Sequence, residues 1–523
     1  MGSASRQPPR FAKSWLLAVP FALLPSLVAL IHLAPGVPPA PIILARVFLL
    51  TASVSLLACF ILSRVAAPHV AVAAVGLAMS VFALFPSAQE LFHRLVTPAH
   101  GRAFSLFYLL ACAWIAISVL RTTSAQVMPR YAMVRRMAVL LTALIPVLLV
   151  YYYWIAPTRS VATLPESQEL RAVMAQSELL PDVYHIVLDG FGRPDVLAAM
   201  YDLDLSSVLR ELQGRGFEIA ERSGATNYPQ TYLSLASLLN MQYLDSLSAQ
   251  IPDSLSRVPL NDLIQRSSVI ETFKRLDYEI VFFGSDYSAT YKHRLADRCE
   301  CELPWVGEFE SMIIQSTPFE QIGLGGVDYR PHRNRVRRTF DMLAALPPSE
   351  RPRFVFAHIM APHPPFVFDA QGRDVAPRRS FSFDDGSMYR GTAAEYQTGY
   401  RDQVQHIASR LLQVLEHLEQ LSKVNRRGSV IIVHGDHGPR QRFHAIDVEQ
   451  TDPIEALPVL LAIRWAQGSA PDQAVTSLVN IYRAFFRRYS NADLQPLPDR
   501  SFVSSFQQPY QFHEIDPSVI GGR

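Results

Sequence analysis

The chain has 523 residues, 49% of them hydrophobic, and this length is too great for one compact domain. Its 48 basic and 46 acidic residues leave a formal net charge of +2, so composition gives no support for a nucleic-acid partner. The apolar residues are concentrated in the first third of the chain, where the sequence predicts a membrane domain.

Five apolar segments in that first third are each long enough to cross a bilayer. They cover residues 14–33, 42–62, 70–87, 103–120 and 137–155. A cleaved signal peptide would explain only one such segment. The sequence therefore predicts a domain of five transmembrane helices over residues 1–156.

The distribution of Arg and Lys predicts the orientation, because positive residues beside short loops are retained in the cytoplasm. Basic residues precede the first segment and lie in the second and fourth loops, whereas the first loop, residues 34–41, is uncharged. The third loop carries Arg94, Arg102 and Glu90 and fits the outer side less well. Five crossings from a cytoplasmic amino terminus place everything after residue 157 outside the cytoplasm.

Residues 157–180 are polar and mixed, which predicts a linker or a helix lying along the membrane surface. Residues 181–523 are predicted to form the outer globular domain. Within it, strand-like runs alternate with helical patterns, which favours an α/β fold with a largely parallel central sheet. The runs cover residues 183–188, 279–283, 354–357, 429–433 and 459–463. The longest helical pattern covers 395–421, and residues 369–388 are predicted to be a surface loop.

Two of these runs end in residues that bind metals. Asp189 follows the first run, and Asp436 and His437 follow the run at 429–433. Side chains at the carboxyl ends of parallel strands converge on one crevice, and two carboxylates with one imidazole suit zinc or manganese. The alternatives are an ordinary Asp-Gly turn at Asp189 and a glycine-rich loop with solvated charges around Asp436.

A candidate nucleophile lies in the segment 227–237, where Pro229 sets a turn before a helical pattern. Thr231 would lie at the amino terminus of that helix, where backbone N–H groups attract an anion and a metal ionises the hydroxyl. An ordinary N-cap is the alternative reading of Thr231. Ser234 and Thr226 compete with it as nucleophile.

Two histidines, His358 and His363, lie in a proline-rich loop after the run at 354–357. Such residues bind a phosphate oxygen, hold a second metal or protonate a leaving group, and a purely structural histidine is the alternative. His444 and Arg440 are further candidates for the site, whereas His185 lies within a strand and is predicted to be structural.

The cysteines give weaker predictions. Cys59 and Cys112 lie in predicted spans and are expected to be packing residues. Cys299 and Cys301 are so close in sequence that a bridge between them is expected to be strained. Free thiols, an intermolecular bridge and weak metal capture therefore remain open for this pair.

Taken together, these motifs resemble the alkaline phosphatase and sulfatase superfamily, and the five-span anchor resembles the lipoteichoic acid synthases and phosphoethanolamine transferases. The resemblance covers essentially the whole chain and implies that Asp189, Thr231, Asp436 and His437 hold one divalent ion, zinc by preference or manganese. A second ion remains open. It further implies that Thr231 is the nucleophile and that His358 and His363 act on substrate phosphate.

The sequence also departs from these families. It lacks the Cys/Ser-x-Pro-x-Arg signature of true sulfatases, which disfavours sulfate-ester hydrolysis. Asp189 stands where the related membrane transferases carry Glu, and the paired cysteines that staple many phosphoethanolamine transferases are missing outside the membrane part. The identity of the transferred group is therefore left open.

The resemblance implies a multi-pass protein of the bacterial inner membrane with its catalytic domain in the periplasm. The predicted function is transfer of phosphoethanolamine or glycerol phosphate from a membrane phospholipid to an envelope glycan or lipid, through a phospho-threonine. A hydrolase that passes the intermediate to water is the first alternative. The second is a non-catalytic envelope-assembly protein that keeps the fold. The sequence does not define the oligomeric state.

Overall fold

The structure is a computed structural model of the whole chain. The residues that it describes are 15–22, 24, 41–95, 101–121, 129, 131–141, 147, 164, 180–220, 226–301, 308–315, 317–322, 328–377, 379, 381–466, 473–490 and 492–521. The chain divides into two compact units, one formed by Met1–Ser160 with Phe309–Val327 and one formed by Val161–Glu308 with Asp328–Arg523. The sequence-based boundaries at 156 and 180 remain predictions.

The first unit is helical. Its longer helices are α1 (Pro41–Leu62), α2 (Pro68–Ala83), α3 (Phe85–Leu95) and α4 (Gly101–Leu120), with a helical turn at Val19–Ala22 and further helix over 131–141. The later stretch contributes helices Glu308–Gln315 and Pro318–Gln321. Phe319 of that stretch packs near Phe82 of α2, with ring centroids 5.6 Å apart, and Glu310 forms an ion pair with Arg46 of α1.

Two of the five predicted spans meet the length and apolarity needed to cross a membrane, Ile43–Leu62 and Ala103–Leu120. Their outer surfaces are apolar, since Leu50 is 66% exposed and both Phe107 and Trp114 are 69% exposed. Large exposed apolar side chains of this kind are compatible with contact to lipid. The third predicted span is split, because α2 ends at Ala83 and α3 begins at Phe85. Most of the first and fifth predicted spans lie outside the described residues.

The second unit contains a seven-stranded sheet in the order β2-β7-β6-β1-β5-β3-β4. The strands are β1 (Asp182–Leu188), β2 (Glu218–Ile219), β3 (Glu279–Phe283), β4 (Arg298–Glu300), β5 (Arg353–Ile359), β6 (Ser429–His434) and β7 (Leu461–Arg464). β6, β1, β5, β3 and β4 run parallel, and β7 and β2 complete one edge with antiparallel pairings. The largely parallel sheet predicted from the sequence is confirmed.

Strands β1, β5 and β6 form the centre of this sheet, and every residue in them is buried. Their continuous Val, Ile and Phe runs suit a parallel sheet covered on both faces. The sequence predicted each of these strands to within two residues at either end, but it did not predict the short edge strands β2 and β4. It also missed the separate pair β8 (Ser501–Val503) and β9 (His513–Ile515).

Two helices of this unit carry residues of the site, α5 (Thr231–Leu238) and α6 (Ala393–Val424), and a third, α7 (Ile481–Tyr489), contacts β1 through Tyr482. The predicted long helix corresponds to α6, which starts at a capping box formed by Thr392 and Glu395. The other α-helices among the described residues of this unit are Pro194–Tyr201, Ser206–Gly214, Asp245–Gln250, Val258–Gln265, Ser268–Arg275, Arg330–Leu343, Pro453–Ala456 and Pro517–Ile520.

Cys299 and Cys301 form a disulfide with each other. Cys299 lies in edge strand β4 and Cys301 directly follows it. The expectation that such a bridge is disfavoured was therefore wrong, and the structure contains none of the three alternatives, free thiols, an intermolecular bridge or metal capture, at this pair. Cys59 and Cys112 are free and buried in the first unit.

Candidate metal centre

Asp189, Asp436 and His437 converge where the central strands end. Asp189 directly follows β1, and Asp436 and His437 follow the neighbouring strand β6, which pairs with β1 in parallel. All three side chains are buried, and one ligand atom from each lies within 4.8 Å of the others. Gly190 turns the chain after Asp189 with φ of +76°, a conformation that L residues rarely adopt.

The three facing atoms have no hydrogen-bond partner. They are Asp189 Oδ1, Asp436 Oδ2 and His437 Nε2. His437 Nε2 lies 3.1 Å from Asp189 Oδ1 and 3.6 Å from Asp436 Oδ2, but neither contact has hydrogen-bond geometry. Two ligands bound tetrahedrally at about 2.1 Å from one zinc ion are about 3.4 Å apart. Because buried polar atoms are rarely left unsatisfied, the donor set and its spacing fit a divalent metal.

Local hydrogen bonds orient two of these ligands. His437 Nδ1–H donates to the carbonyl of Gly438 at 2.8 Å, which leaves the Nε2 lone pair facing the two carboxylates. The backbone N–H of Gly190 donates to Asp436 Oδ1 at 3.1 Å. A metal-binding histidine commonly has its other ring nitrogen fixed in this way.

Electrostatics within the cluster act in opposite directions on its members. Burial alone would raise the pKa of the Asp189 carboxyl, but the imidazoles of His363, His358 and His437 outweigh it and hold that pKa well below its usual range. Burial and Arg440 oppose a proton on His437, yet the carboxylates of Asp436 and Asp189 raise its pKa overall. The cluster therefore attracts positive charge, which a divalent ion supplies.

His358 contacts the oxygen of Asp189 that does not face the other two candidate ligands. It is buried at the end of β5, where its Nε2–H donates to Asp189 Oδ2 at 3.1 Å and its Nδ1 accepts from the Thr290 hydroxyl at 2.7 Å. Both ring nitrogens are thus engaged, and the imidazole holds the outer oxygen of a candidate ligand. The predicted role for His358 was contact with substrate phosphate, whereas this position suits orientation of Asp189.

His363 lies beside the metal ligands, with its ring centroid 6.0 Å from that of His437. Its Nδ1–H donates to the carbonyl of Pro364, and its Nε2 accepts from Arg440 Nη2 at 2.9 Å. Arg440 Nε donates in turn to Asp385 Oδ2 at 3.0 Å. Both Arg440 and Asp385 are buried, so this charged pair forms part of the site.

Asp385 was not predicted. It lies in the segment 369–388, which the sequence identified as a surface loop; much of that segment is exposed, but Asp385 turns inward and is 3% exposed. Tyr396 of α6 donates to its other oxygen at 2.8 Å. In a run such as Phe383-Asp384-Asp385-Gly386, nothing local distinguishes the inward-facing carboxylate from its neighbour.

Thr231 begins α5 and is buried, with Gln230 as the N-cap residue. The first-turn N–H groups of a helix point out of its amino terminus, where they attract anions. The carbonyl of Pro229, two residues earlier, accepts from Arg440 Nη1 at 3.4 Å, which links this turn to His363. The two competing hydroxyls, Thr226 and Ser234, bond to each other at 3.0 Å.

The remaining histidines that the sequence singled out have structural partners. His185 is buried; its Nδ1 accepts from the Tyr482 hydroxyl of α7, and its Nε2–H donates to His434 Nε2 at 2.7 Å. Burial lowers the pKa of His434 to about 4, so this pair is neutral at ordinary pH. His444 Nδ1 accepts from the backbone N–H of Asp447 at 2.9 Å and thereby closes a turn.

No protein-family model and no curated protein matches the chain. Solved structures do resemble it. One is the C-terminal periplasmic domain of EcEptC from Escherichia coli, with a TM-score of 0.43 and 12% identity over 68% of this chain and 96% of that one; a complex of that domain with Zn gives 0.42.

Two further neighbours extend the comparison. The integral membrane protein lipooligosaccharide phosphoethanolamine transferase A (EptA) from Neisseria meningitidis gives a TM-score of 0.34 and 13% identity over 86% of this chain and 88% of that one. Phosphonate monoester hydrolase of Agrobacterium radiobacter gives 0.38 and 13% over 62% and 80%. These neighbours are enzymes of the kind that the sequence resemblance implied. Sequence identities and TM-scores this low do not assign the activity of these neighbours to this chain. Its function is therefore inferred from its own residues.

Proposed function

We propose that the chain is a metal-dependent enzyme of the sulfatase-like class that transfers a phospho-head group. The observation that carries this proposal is the convergence of Asp189 Oδ1, Asp436 Oδ2 and His437 Nε2, three buried ligand atoms without hydrogen-bond partners. A divalent ion at these atoms would stabilise negative charge on phosphoryl oxygens and favour the ionised form of a nearby hydroxyl. The donor set of two carboxylates and one imidazole favours zinc, with manganese as the alternative.

Thr231 is the proposed nucleophile and fourth metal ligand. Thr231 is the first residue of a buried helix, and the competing hydroxyls of Thr226 and Ser234 form a hydrogen bond with each other. In the first step, Thr231 Oγ loses its proton to water and bonds to phosphorus, the bond from phosphorus to the diacylglycerol oxygen of the donor breaks, and that oxygen takes up a proton from water. In the second step, an acceptor hydroxyl attacks phosphorus, and Thr231 leaves and regains its proton.

Arg440 is proposed to bind the phosphoryl oxygens through its remaining N–H groups. His363, whose Nδ1–H donates to Pro364 and whose Nε2 accepts from Arg440, is proposed to position that guanidinium. His363 lies next to the metal ligands, and Arg440 bridges it to the Pro229 carbonyl at the start of the nucleophile helix. Arg440 is held in a single orientation by Asp385, which preorganises a positive group in a buried site. His358 is proposed to act through Asp189, whose orientation it holds.

The proposed donor is a membrane phospholipid carrying phosphoethanolamine or glycerol phosphate, and the proposed acceptor is an envelope glycan or lipid. The lipid-facing surfaces of α1 and α4 support a membrane-embedded protein. The proposal also includes five transmembrane spans, a location in the bacterial inner membrane and a catalytic domain in the periplasm. A hydrolase that gives the same intermediate to water shares every residue role up to the second step, so only the products separate the two.

The test is incubation of the purified, zinc-loaded chain with mixed bacterial phospholipids, followed by intact-mass measurement of the wild type and Thr231→Ala. The expected result is a mass increase of one phospho-head group in the wild type alone, which also identifies the donor. Bound metal with no adduct and no released head group would refute the proposed chemistry. Absence of metal binding would favour the non-catalytic alternative.

A further inference from the structure

One stretch from the outer part of the chain belongs to the first unit. Residues Phe309–Val327, which we call the inserted segment, group with the helices of that unit, whereas the chain before and after them belongs to the second unit. The described part of the segment consists mainly of the helices Glu308–Gln315 and Pro318–Gln321. The chain therefore connects the two units at three points, after Ser160, Glu308 and Val327, and not only through the predicted linker.

The inserted segment supplies the partner of a charge in a membrane span. Arg46 of α1 is the only charged residue in the apolar span Ile43–Leu62. Its guanidinium forms an ion pair with Glu310, whose side chain is 8% exposed and which lies 264 residues later in the chain. An ionisable side chain within a membrane span is costly, and such residues are usually paired and functional. The partner of Arg46 thus comes from a segment of the predicted outer domain.

Further contacts accompany this ion pair. Phe319 of the inserted segment packs near Phe82 of α2, with ring centroids 5.6 Å apart, and helix Pro318–Gln321 packs against α4. Ser311 and Ile313 are buried. The segment therefore contacts three long helices of the first unit, through an ion pair, a ring contact and helix packing.

The contacts with Arg46 and Phe82 lie on one side of the membrane helices. Arg46 is near the start of α1, and Phe82 is next to the last residue of α2. A short turn, residues 63–67, joins the two helices, and helices joined by a short loop run antiparallel. The distribution of Arg and Lys predicts that both of these helix ends face outside, which is also the side predicted for residues 181–523. A segment of the outer domain can contact only ends on that side.

We propose that the inserted segment docks the catalytic domain onto the outer ends of α1 and α2, and that the ion pair of Arg46 with Glu310 holds it there. The consequence for catalysis rests on the proposed transferase function. Docking keeps the metal centre close to the bilayer surface, where the phospho-head group of the donor lies. If only the linker joined the units, the domain would meet a head group in few of its orientations. Arg46 and Glu310 are therefore positioning residues, since neither touches the reacting atoms.

The docking is tested on the full chain without any reaction. A recognition site for a sequence-specific protease is inserted into the predicted linker, residues 157–180, and the purified chain is cut in detergent. A tag on the amino-terminal fragment then captures the pair. We expect the carboxyl-terminal fragment of the wild type to stay bound, and Glu310→Arg, which places two positive charges together, to speed its loss on washing at least about tenfold.

Two further variants make this result specific. Glu211→Arg is the matched control, because Glu211 is also a glutamate paired with an arginine, Arg215, but lies outside the inserted segment; the fragments should stay together in this variant. Arg46→Glu combined with Glu310→Arg restores opposite charges and should restore retention, which separates lost docking from poor folding. Separation of the wild-type fragments, full retention in Glu310→Arg or no recovery in the double variant would overturn the proposal.

The catalytic consequence is tested with donors that share a head group. Phosphatidylethanolamine and phosphatidylglycerol are each offered in two forms, as long-chain lipid in vesicles and as short-chain lipid dissolved in water. The rate of adduct formation on Thr231 is followed by intact mass. We expect Glu310→Arg to slow the reaction with vesicle lipid about tenfold, to leave the reaction with dissolved lipid unchanged, and to be rescued by Arg46→Glu.

The two proposals fail in distinguishable ways. Equal slowing with vesicle and dissolved lipid would show that Glu310 acts on the catalytic domain itself, and would overturn its positioning role. No adduct in the wild type with either form of either lipid would refute the proposed transfer chemistry. In that case the cutting experiment still decides the docking, because retention of the fragment does not depend on any reaction at Thr231.

Discussion

Asp436→Asn keeps the size of a buried side chain while it removes one negative charge from the candidate metal centre. In the protein without metal, Asp436 Oδ2 is buried, has no hydrogen-bond partner and lies 3.6 Å from His437 Nε2. An unsatisfied buried polar atom costs about 1–3 kcal/mol. An amide at this position would keep the Gly190 bond to Oδ1 and could donate toward His437. Without metal, we therefore expect the variant to be more stable by about 1–2 kcal/mol.

With zinc the effect reverses. A structural zinc site of four ligands supplies about 10–16 kcal/mol, or roughly 3 kcal/mol per ligand, so loss of the charged ligand should weaken zinc binding about a hundredfold. At saturating free zinc the wild type should then gain about 3 kcal/mol more stabilisation than the variant. This corresponds to several degrees in the unfolding temperature.

The assay is thermal unfolding of the detergent-solubilised chain, first with a chelator and then across a series of buffered zinc concentrations. The signature is the opposite sign of the two changes, higher stability without zinc and a smaller zinc-induced shift. Asp341→Asn is the control, because Asp341 is an exposed carboxylate paired with Arg410 and should alter neither quantity. An unchanged zinc-induced shift in Asp436→Asn would refute the metal centre.

Three further changes test two site residues and one buried carboxyl, Glu455, which accepts hydrogen bonds from the Tyr201 hydroxyl and the backbone N–H of Arg442. Thr231→Ser keeps the hydroxyl and should still form the phospho-adduct, at a lower rate, in the intact-mass measurement; loss of the adduct equal to that in Thr231→Ala would argue against an attacking hydroxyl. His358→Ala removes the donor to Asp189 Oδ2 and should weaken zinc affinity about 10–100-fold in a chelator competition, whereas a lost turnover with unchanged affinity would place His358 on the substrate instead. Burial raises the pKa of Glu455 from 4.5 to about 7, so the folded protein holds this proton more tightly than the unfolded chain does. The contribution of Glu455 to the free energy of unfolding is therefore complete below pH 4.5 and is lost as the pH rises through 7. Glu455→Gln carries no such charge, and its unfolding free energy relative to the wild type should increase by up to about 3 kcal/mol between pH 5 and pH 8 in denaturant titrations; a difference independent of pH would show that Glu455 is ionised when folded.

Local sequence was informative wherever a residue's environment follows from its position in a strand. The runs at 183–188, 354–357 and 429–433 are continuously apolar, and such runs are stable only in a sheet covered on both faces. Because parallel strands release their carboxyl ends on one side, Asp189, Asp436 and His437 were predicted together from separate segments. The same reasoning identified Thr231 and His363 as candidates, since each follows a strand or begins a helix.

Residues that reach the site from loops could not be predicted from their position in a strand or helix. Asp385 lies in a charged, Ser- and Gly-rich segment, and Thr290 lies in a short turn after β3, so neither has a periodic pattern that marks its direction. Their importance comes from partners distant in the chain, Arg440 for Asp385 and His358 for Thr290. The membrane part shows the same limit, because hydropathy located the apolar segments but did not reveal the break between α2 and α3.

The sequence by itself determined the α/β class of the outer domain and the strands at its centre, and it predicted together the three side chains that converge there, because burial on both faces and ligand chemistry are properties of single segments. Only the tertiary structure decided which groups each histidine contacts. His358 and His363 are five residues apart in one loop, yet one holds Asp189 from behind and the other faces Arg440 beside the metal ligands. That difference depends on which side chains other strands and loops bring within hydrogen-bond distance, and a hydrogen bond between distant segments leaves no mark in the local sequence of either.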